Sequence, residues 1–139
     1  MIIETPERPK QRRHEQSEAK IQSESYQWFY NTFPQYRGLM FACTNQNERS
    51  NELNKRSQLI SGAMRKNMGV WHGVSDILFL VPKGTYHALL LEAKTPKGTQ
   101  SVYQQEWERK VTEQGYLYKI FRSVEEFKEI ITWYLNLSK

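Results

Sequence analysis

The sequence predicts a mixed α/β fold, in which helices flank a small β-sheet in the chain order α-β-α-β-β-α-β-α. Two apolar runs, 76–81 and 88–94, are separated by Pro-Lys-Gly-Thr at 82–85, and this turn chemistry indicates a β-hairpin. Both runs are apolar almost throughout, which is typical of strands in a sheet that is covered on both faces. Helical periodicity on either side of the hairpin supplies the covering layers.

A chain of 139 residues is long enough for one domain with a substantial core. Residues 1–16 are rich in Pro, Arg, Glu and Gln and are predicted to form a flexible arm, which leaves 17–139 as the single folded domain. We find no apolar stretch that resembles a signal peptide and no segment of bilayer-spanning length, so no membrane partner is expected. The single cysteine, Cys43, excludes an internal disulfide and a thiolate zinc cluster, and a cytoplasmic setting is expected.

The first half of the predicted domain holds two helices and a short strand. The first helix is predicted over 18–31, followed by a strand at 39–43 and a polar loop at 44–50. A second helix is predicted over 51–67, with Gly69 where a helix would stop. The inward stripe of the first helix consists of Ile21, Ser25, Trp28 and Phe29.

The second half, after the hairpin, predicts a helix, a strand and a helix. The third helix begins at Ser101 and ends at Gly115, and a strand follows at 116–121. A capping box that starts at Ser123 opens the last helix, which runs to about Leu135. Four aromatic side chains at helical spacing are expected in the core rather than on the surface as platforms for bases: Trp28, Tyr103, Trp107 and Trp133.

The charge distribution favours a polyanionic partner. The net charge is +5, and the excess lies in 37–97, which carries nine Lys/Arg against four Asp/Glu. Positive charge beside carboxylates suits nucleic acid, although a basic surface without a partner is the simpler alternative. No base-reading motif is present, so recognition by shape is expected. The candidates for contact with the phosphate backbone are Lys55, Arg56, Arg65, Lys66 and Lys97.

The candidate site lies at the open end of the predicted hairpin. If the strands pair symmetrically about Gly84, Asp76 lies opposite Glu92, and directly opposed residues project from the same face. Lys94 shares that face because side chains alternate along a strand. Two carboxylates and an ammonium at one end of an apolar hairpin suit a divalent cation and a phosphate. A strand-end aspartate and a surface Glu-x-Lys ion pair each have simpler explanations, but their matched positions favour a site.

Four segments together resemble the VRR-NUC branch of the PD-(D/E)xK nuclease superfamily: Gly73-Val-Ser-Asp76, Glu92-Ala-Lys94, Thr95-Pro-Lys-Gly98 and Ser101-Val-Tyr-Gln104. The resemblance spans roughly residues 17–135 and implies a restriction-endonuclease-like core. One position departs from the family pattern, because Ser75 stands where the family usually has proline.

The resemblance implies a metal-dependent phosphodiesterase. Asp76, Glu92 and the backbone carbonyl of Ala93 would hold Mg²⁺ or Mn²⁺. Lys94 would orient the attacking water and offset charge on the phosphate. The family also places a glutamine near the active site at Gln104. The spacing Ser-x-x-Gln is a helix capping box as well, and both interpretations of this glutamine can hold at once.

A further acid from the first helix is common in the superfamily, and Glu18 and Glu24 are both available. The apolar stripe of that helix centres roughly 35° from Glu18 and roughly 85° from Glu24, so Glu18 points more nearly inward and is preferred. The alternative for Glu18 is a glutamate that the helix dipole favours at an N-terminus.

The hypothesis that follows is a nuclease that hydrolyses DNA in a bacterial or phage-infected cell. Stand-alone members of the family look like homodimeric endonucleases directed at branched or junction DNA, and the resemblance implies the same here. The main alternative is a catalytically silent nucleic-acid-binding module with the same fold. A sequence-specific restriction-like enzyme and a metal-dependent hydrolase of another substrate are further alternatives. The sequence leaves open DNA against RNA, endonuclease against exonuclease action and the number of metal ions.

Overall fold

The structure, a computed structural model, describes residues 17–43 and 62–138. Within these ranges residues 62–67 form helix α2. The other elements are α1 (Glu18–Thr32), a 3₁₀ turn (Pro34–Tyr36), β1 (Met40–Ala42), β2 (Ile77–Phe79), β3 (Leu89–Ala93), α3 (Val102–Glu113), β4 (Leu117–Phe121) and α4 (Val124–Leu135). The predicted element order is confirmed. The predicted arm at 1–16, the loop at 44–50 and the first part of the second helix lie outside the described residues.

The strands form one four-stranded sheet in the order β1-β2-β3-β4. The β1–β2 and β2–β3 pairs are antiparallel and the β3–β4 pair is parallel, so the sheet is mixed, as predicted. Ile77 lies opposite Leu91 and Phe79 opposite Leu89, which confirms the register predicted from symmetry about Gly84. Gly84 has a φ of +57°, a left-handed conformation that costs glycine little.

One face of the sheet packs against α1 and α4 and forms the core. Burying a large apolar side chain contributes about 1.5–3 kcal/mol, so this layer supplies most of the driving force for folding. The hydroxyl of Tyr134 in α4 donates to the backbone oxygen of Val81 at 2.5 Å. The buried core residues are Ile21, Phe29, Met40, Ile77, Phe79, Leu89, Leu91, Ala93, Phe121, Phe127, Ile131 and Tyr134.

Helix starts follow the capping signals in the sequence. Ser17 Oγ accepts the backbone N–H of Lys20 at 3.2 Å at the start of α1. Ser123 Oγ accepts the N–H of Glu126 at 3.1 Å at the start of α4, which is the serine half of the predicted capping box. Within the described ranges, no helix is both long and apolar enough to cross a bilayer.

The expectation that four helical aromatics lie in the core holds only for Trp28, which packs against the core cluster. Trp28 and Trp107 are half-buried, and Trp107 packs edge-on against Tyr118 with ring centroids 6.1 Å apart. Tyr103 is 69% exposed and Trp133 is 46% exposed. Helix α3 packs mainly on the edge strand β4, which covers the helix at Trp107 and leaves the Tyr103 side chain exposed.

Candidate active site

The open end of the β2–β3 hairpin brings two carboxylates together. Asp76 Oδ2 accepts the backbone N–H of Ala93 at 2.8 Å, which ties the residue before β2 to the end of β3. Leu91 and Ala93 are in the core, so alternation along β3 turns Glu92 to the opposite face of the sheet, beside Asp76. Glu92 is 2% exposed and Asp76 is half-buried.

Burial and mutual repulsion make ionisation of both carboxylates unfavourable. Burial is the largest cause that raises the pKa of Glu92 to about 8, the negative charge of Asp76 adds to it, and Lys94 opposes it. Burial also raises the pKa of Asp76, and the N–H of Ala93 opposes that shift. Glu92 Oε2 is buried and has no hydrogen-bond partner among the described residues. A cation placed between the two carboxylates would relieve the repulsion and supply the missing partner.

Gln104 connects the acidic pair to Lys94. Its amide Nε2 donates to Glu92 Oε1 at 2.7 Å, and its Oε1 accepts from Lys94 Nζ at 2.9 Å. Lys94 Nζ lies 4.0 Å from Glu92 Oε1, and the lysine is 7% exposed. The described structure therefore gathers Asp76, Glu92, Lys94 and Gln104 into one cluster, called the carboxylate–lysine cluster below.

The same glutamine also caps α3. Ser101 N donates to Gln104 Oε1 at 2.9 Å, and Gln104 N donates to Ser101 Oγ at 3.2 Å, which together form a complete capping box. Both interpretations offered for Gln104 therefore have contacts in the structure. A single side chain joins the start of α3 to the carboxylate–lysine cluster.

Gly73 brings the loop before Asp76 into contact with the first turn of α3. Its φ is +84°, and an added Cβ would lie 2.5 Å from the backbone C and O of Tyr103 and 2.9 Å from Gln104 N. No side chain fits at such distances, so glycine is required here by the close approach of two backbones. Gly73 belongs to one of the four segments that resemble the family, but the sequence does not predict this packing role.

Arg122 was missed by the sequence analysis. Its Nη1 donates to the backbone oxygens of Thr95 and Gly98, both at 2.7 Å. These bonds hold the loop that runs from Lys94 to α3, and they come from the residue directly after β4. The only sequence signal was an arginine at the end of the strand predicted to follow the third helix.

The two candidate acids of α1 differ in their surroundings. The negative charge of Glu18 is one of the causes that raise the pKa of Asp76, so Glu18 lies within electrostatic reach of the cluster. Glu24 instead forms an exposed ion pair with Lys20, with 3.9 Å between Nζ and Oε1. Glu18 is exposed, and the preference for Glu18 over Glu24 stays a prediction.

The basic residues proposed for phosphate contact are partly described. Arg65 and Lys66 are exposed on α2, and Lys97 is exposed in the loop that Arg122 holds. Lys55 and Arg56 lie outside the described residues. Contact between any of these side chains and nucleic acid stays a prediction.

The donor set for a metal ion is small. Across residues 17–43 and 62–138, no three His, Cys, Asp or Glu side chains gather closely enough to hold an ion between them. Two carboxylates suffice for Mg²⁺, which keeps several of its waters and is often bound through one or two protein carboxylates. The orphaned Glu92 Oε2 fits this role, whereas the part predicted for the Ala93 carbonyl stays a prediction.

Comparison with solved structures finds a similar fold. A structure described as a VRR_NUC domain protein superposes with a TM-score of 0.71 at 18% sequence identity, and the match covers 89% of this chain and 92% of that chain. The fold is VRR_NUC-like. The VRR_NUC-like fold confirms the restriction-endonuclease-like core predicted from the sequence. No protein-family model matches the chain, and no curated protein matches it significantly.

Proposed function

We propose that this chain belongs to the VRR-NUC family and is a metal-dependent nuclease that hydrolyses DNA phosphodiester bonds. The observation that carries the proposal is the pairing of Asp76 with Glu92 at the end of the hairpin, with a buried carboxylate oxygen left unpartnered and Lys94 beside it. A protein that needed this hairpin for folding alone would gain stability from apolar residues at these buried positions. A charged ligand would explain why Asp76 and Glu92 stand at these positions instead.

The proposed cofactor is Mg²⁺ or Mn²⁺, held by Asp76, Glu92 and the backbone carbonyl of Ala93. When bound, such an ion supplies positive charge to the scissile phosphate and lowers the pKa of a water molecule. The Ala93 N–H fixes Asp76 Oδ2, which leaves the other carboxylate oxygen available as a ligand. The Gln104 amide fixes Glu92 Oε1, which leaves Oε2 available in the same way.

The proposed role of Lys94 is to donate hydrogen bonds to the attacking water and to the phosphate. An ammonium has three donors, and the Gln104 bond uses one of them. The capping box restricts the glutamine, so the lysine is oriented before the substrate arrives, and such preorganised charge is a large contribution to catalysis.

The decisive test is Asp76→Asn, which keeps the shape of the side chain and an acceptor for the Ala93 N–H. We expect cleavage of plasmid and branched oligonucleotides in Mg²⁺ or Mn²⁺ to fall by about a thousandfold or more, because a ligand charge is lost. DNA retention in a gel should remain close to that of wild type. Glu24→Gln is the matched control, since Glu24 is an exposed acid paired with Lys20. Cutting by Asp76→Asn at the wild-type rate would show that the ligand set is wrong.

We further propose that the enzyme is a homodimeric, structure-selective endonuclease that acts on branched DNA inside the cell. A twofold dimer would present two carboxylate–lysine clusters to a symmetric junction. The test compares cleavage rates on a four-way junction, a flap, a duplex and a closed circle, with the mass in solution measured by sedimentation. A monomer that degrades linear DNA from its ends and leaves the closed circle intact would contradict this proposal.

The competing function is a catalytically silent DNA-binding module with the same fold. One observation favours it, because the described residues offer two clustered carboxylates rather than three. Titration of Mn²⁺ into the protein separates the two functions without any cleavage assay. DNA retention in a gel with no Mn²⁺ binding would establish the silent module.

A further inference from the structure

An exposed aromatic surface, formed by Trp71, His72 and Tyr103, lies beside the carboxylate–lysine cluster. Trp71 is 63% exposed and Tyr103 is 69% exposed. The rings of His72 and Tyr103 lie 6.2 Å apart, so the segment before Gly73 and the first turn of α3 contribute to the same surface. Large aromatic side chains gathered in the open, rather than scattered singly, are typical of a binding surface.

The aromatic surface is held in a fixed position relative to the cluster. The Cα of Gly73, which follows His72, approaches the Tyr103 backbone so closely that a Cβ would lie 2.5 Å from it. Tyr103 in turn precedes Gln104, whose amide reaches Glu92 Oε1 at 2.7 Å. Tyr103 is therefore the chain neighbour of the residue that contacts Glu92, and a ligand on its ring would lie beside the carboxylate–lysine cluster.

The charges around this surface favour nucleic acid as the occupant. Lys110 Nζ lies 5.7 Å from the centre of the Trp71 ring. Arg65 and Lys66 are exposed on α2, a few residues before Trp71. Aromatic rings interleaved with cations are the means by which proteins bind unpaired nucleotides, because every base has a face on which to stack and every nucleotide brings a phosphate.

We propose that Trp71 and Tyr103 stack against unpaired bases of a DNA strand next to the phosphate that is cut. This inference rests on the proposed nuclease function for the position of the phosphate, and it names the substrate feature that the enzyme would prefer. Duplex DNA keeps its bases stacked on one another, so these rings would distinguish a single-stranded segment, or a branch point with unpaired bases, from a continuous duplex.

The test measures equilibrium binding in chelator, where no cutting occurs, to three labelled oligonucleotides of equal length. The probes are a single strand, a duplex and a single strand whose central nucleotides are abasic. We expect Trp71→Ala and Tyr103→Ala each to weaken binding to the single strand by about tenfold and binding to the duplex by less than about twofold. On the abasic strand both variants should bind like wild type. Tyr103→Phe keeps the ring and should bind like wild type throughout.

Two exposed aromatics elsewhere serve as matched controls. Trp133 is 46% exposed with Lys119 Nζ 5.5 Å from its ring, and Tyr30 is 43% exposed with the Arg37 guanidinium 3.9 Å from its ring. Both have the same ring-and-cation chemistry but lie on other elements. Trp133→Ala and Tyr30→Ala should leave all three affinities unchanged.

Several outcomes would overturn the inference. Equal losses on single strand and duplex, losses that persist on the abasic strand, or losses in the control variants would each show that the rings do not stack on bases. A changed mass in solution for Trp71→Ala with unchanged DNA affinity would assign the surface to protein contact. The nuclease proposal fails by a separate result. In that case wild type would cut no DNA in Mn²⁺, while the binding pattern described above could still be obtained.

Discussion

The two faces of β3 are equally buried but differ in chemistry, because one is apolar throughout and the other carries Leu90 and then Glu92. All five residues of the strand are buried. On one face Leu89, Leu91 and Ala93 pack against α1 and α4 in the core, with exposures of 0%. On the other face Glu92, at 2% exposure, meets Asp76 and Gln104.

This contrast teaches that burial has two different consequences within one strand. Removing apolar area from water stabilises the fold, by about 25 cal/mol per Å². Removing a carboxylate from water beside a second carboxylate costs free energy unless a cation or a proton compensates. The core face of β3 therefore supports stability, whereas the ionised Glu92–Asp76 pair on the other, polar face reduces it when neither a cation nor a proton compensates.

The largest effect expected from this comparison is on the core face. Leu91→Ala should lower the free energy of unfolding by about 3 kcal/mol, because it leaves a cavity in a fully buried layer. Urea denaturation followed by circular dichroism measures the loss. Leu80→Ala is the control, since Leu80 is 48% exposed and its truncation should cost well under half as much. Equal losses at the two positions would contradict the assignment of the core face.

On the polar face, a substitution should raise the free energy of unfolding rather than lower it. Glu92→Gln keeps the side-chain shape and removes a charge, so the metal-free variant should be more stable than wild type at pH 8, by about 2 kcal/mol. The folded-state pKa of about 8 lies above the ordinary value of 4.5. The contribution of Glu92 to stability is therefore complete below pH 4.5 and is lost as pH rises through about 8.

The measurement is thermal unfolding in chelator from pH 5 to 9, repeated with Mn²⁺. Wild type should lose stability with rising pH in chelator and regain it with the ion, whereas Glu92→Gln should respond weakly to both. If wild type and variant show the same pH dependence, the raised pKa is not a property of this carboxyl group.

A third prediction concerns the glycine that supports the polar face. Gly73→Ala and Gly69→Ala both place a side chain at positive φ, +84° and +93°. The first meets the α3 backbone at 2.5 Å, and the second meets no atom within 4 Å. Both should lose about 1 kcal/mol from backbone strain. Gly73→Ala should lose about 1–2 kcal/mol more and also reduce cleavage, because it displaces Gln104. Equal cleavage by the two variants would show that this backbone approach does not position the site.

The smallest effect is expected at Arg122. Arg122→Gln removes two charge-assisted bonds to the loop after Lys94, so stability should fall by about 1 kcal/mol in this half-buried setting. We expect kcat to fall several-fold because the loop positions Lys94, and KM to rise only slightly because Lys97 of this loop is one of several candidate phosphate contacts. Arg109→Gln is the matched control, because Arg109 bonds to exposed acids within its own helix. A pure KM effect would assign Arg122 to substrate contact instead.

Much of the fold could be predicted because its signals are local. Ser101 and Ser123 are helix caps, and they placed the starts of α3 and α4 to the residue. The turn around Gly84 fixed the hairpin register, and that register together with side-chain alternation placed Asp76, Glu92 and Lys94 on one face. No knowledge of other proteins was needed for this step.

The features of the fold and the site that the sequence does not predict depend on contacts between distant segments, for which there is no local signal. The close approach of Gly73 to α3 and the bonds of Arg122 to the loop after Lys94 arise from the arrangement of elements in space. Tyr103 was wrongly expected in the core because helical spacing identifies a stripe but does not say how far a neighbouring strand extends to cover it. The surface proposed for base stacking follows from that difference.

Because Gln104 both caps α3 and contacts Lys94, opening of the first turn of α3 would also change the surroundings of Lys94. Its Oε1 accepts from both Ser101 N and Lys94 Nζ at 2.9 Å, so fraying of the first turn of α3 would release the lysine at the same moment. Helix ends open far more readily than whole domains. The proposed nuclease activity would then fall on warming before the protein melts, and hydrogen exchange at the amide of Gln104 would report the fraction of molecules in which this turn is closed.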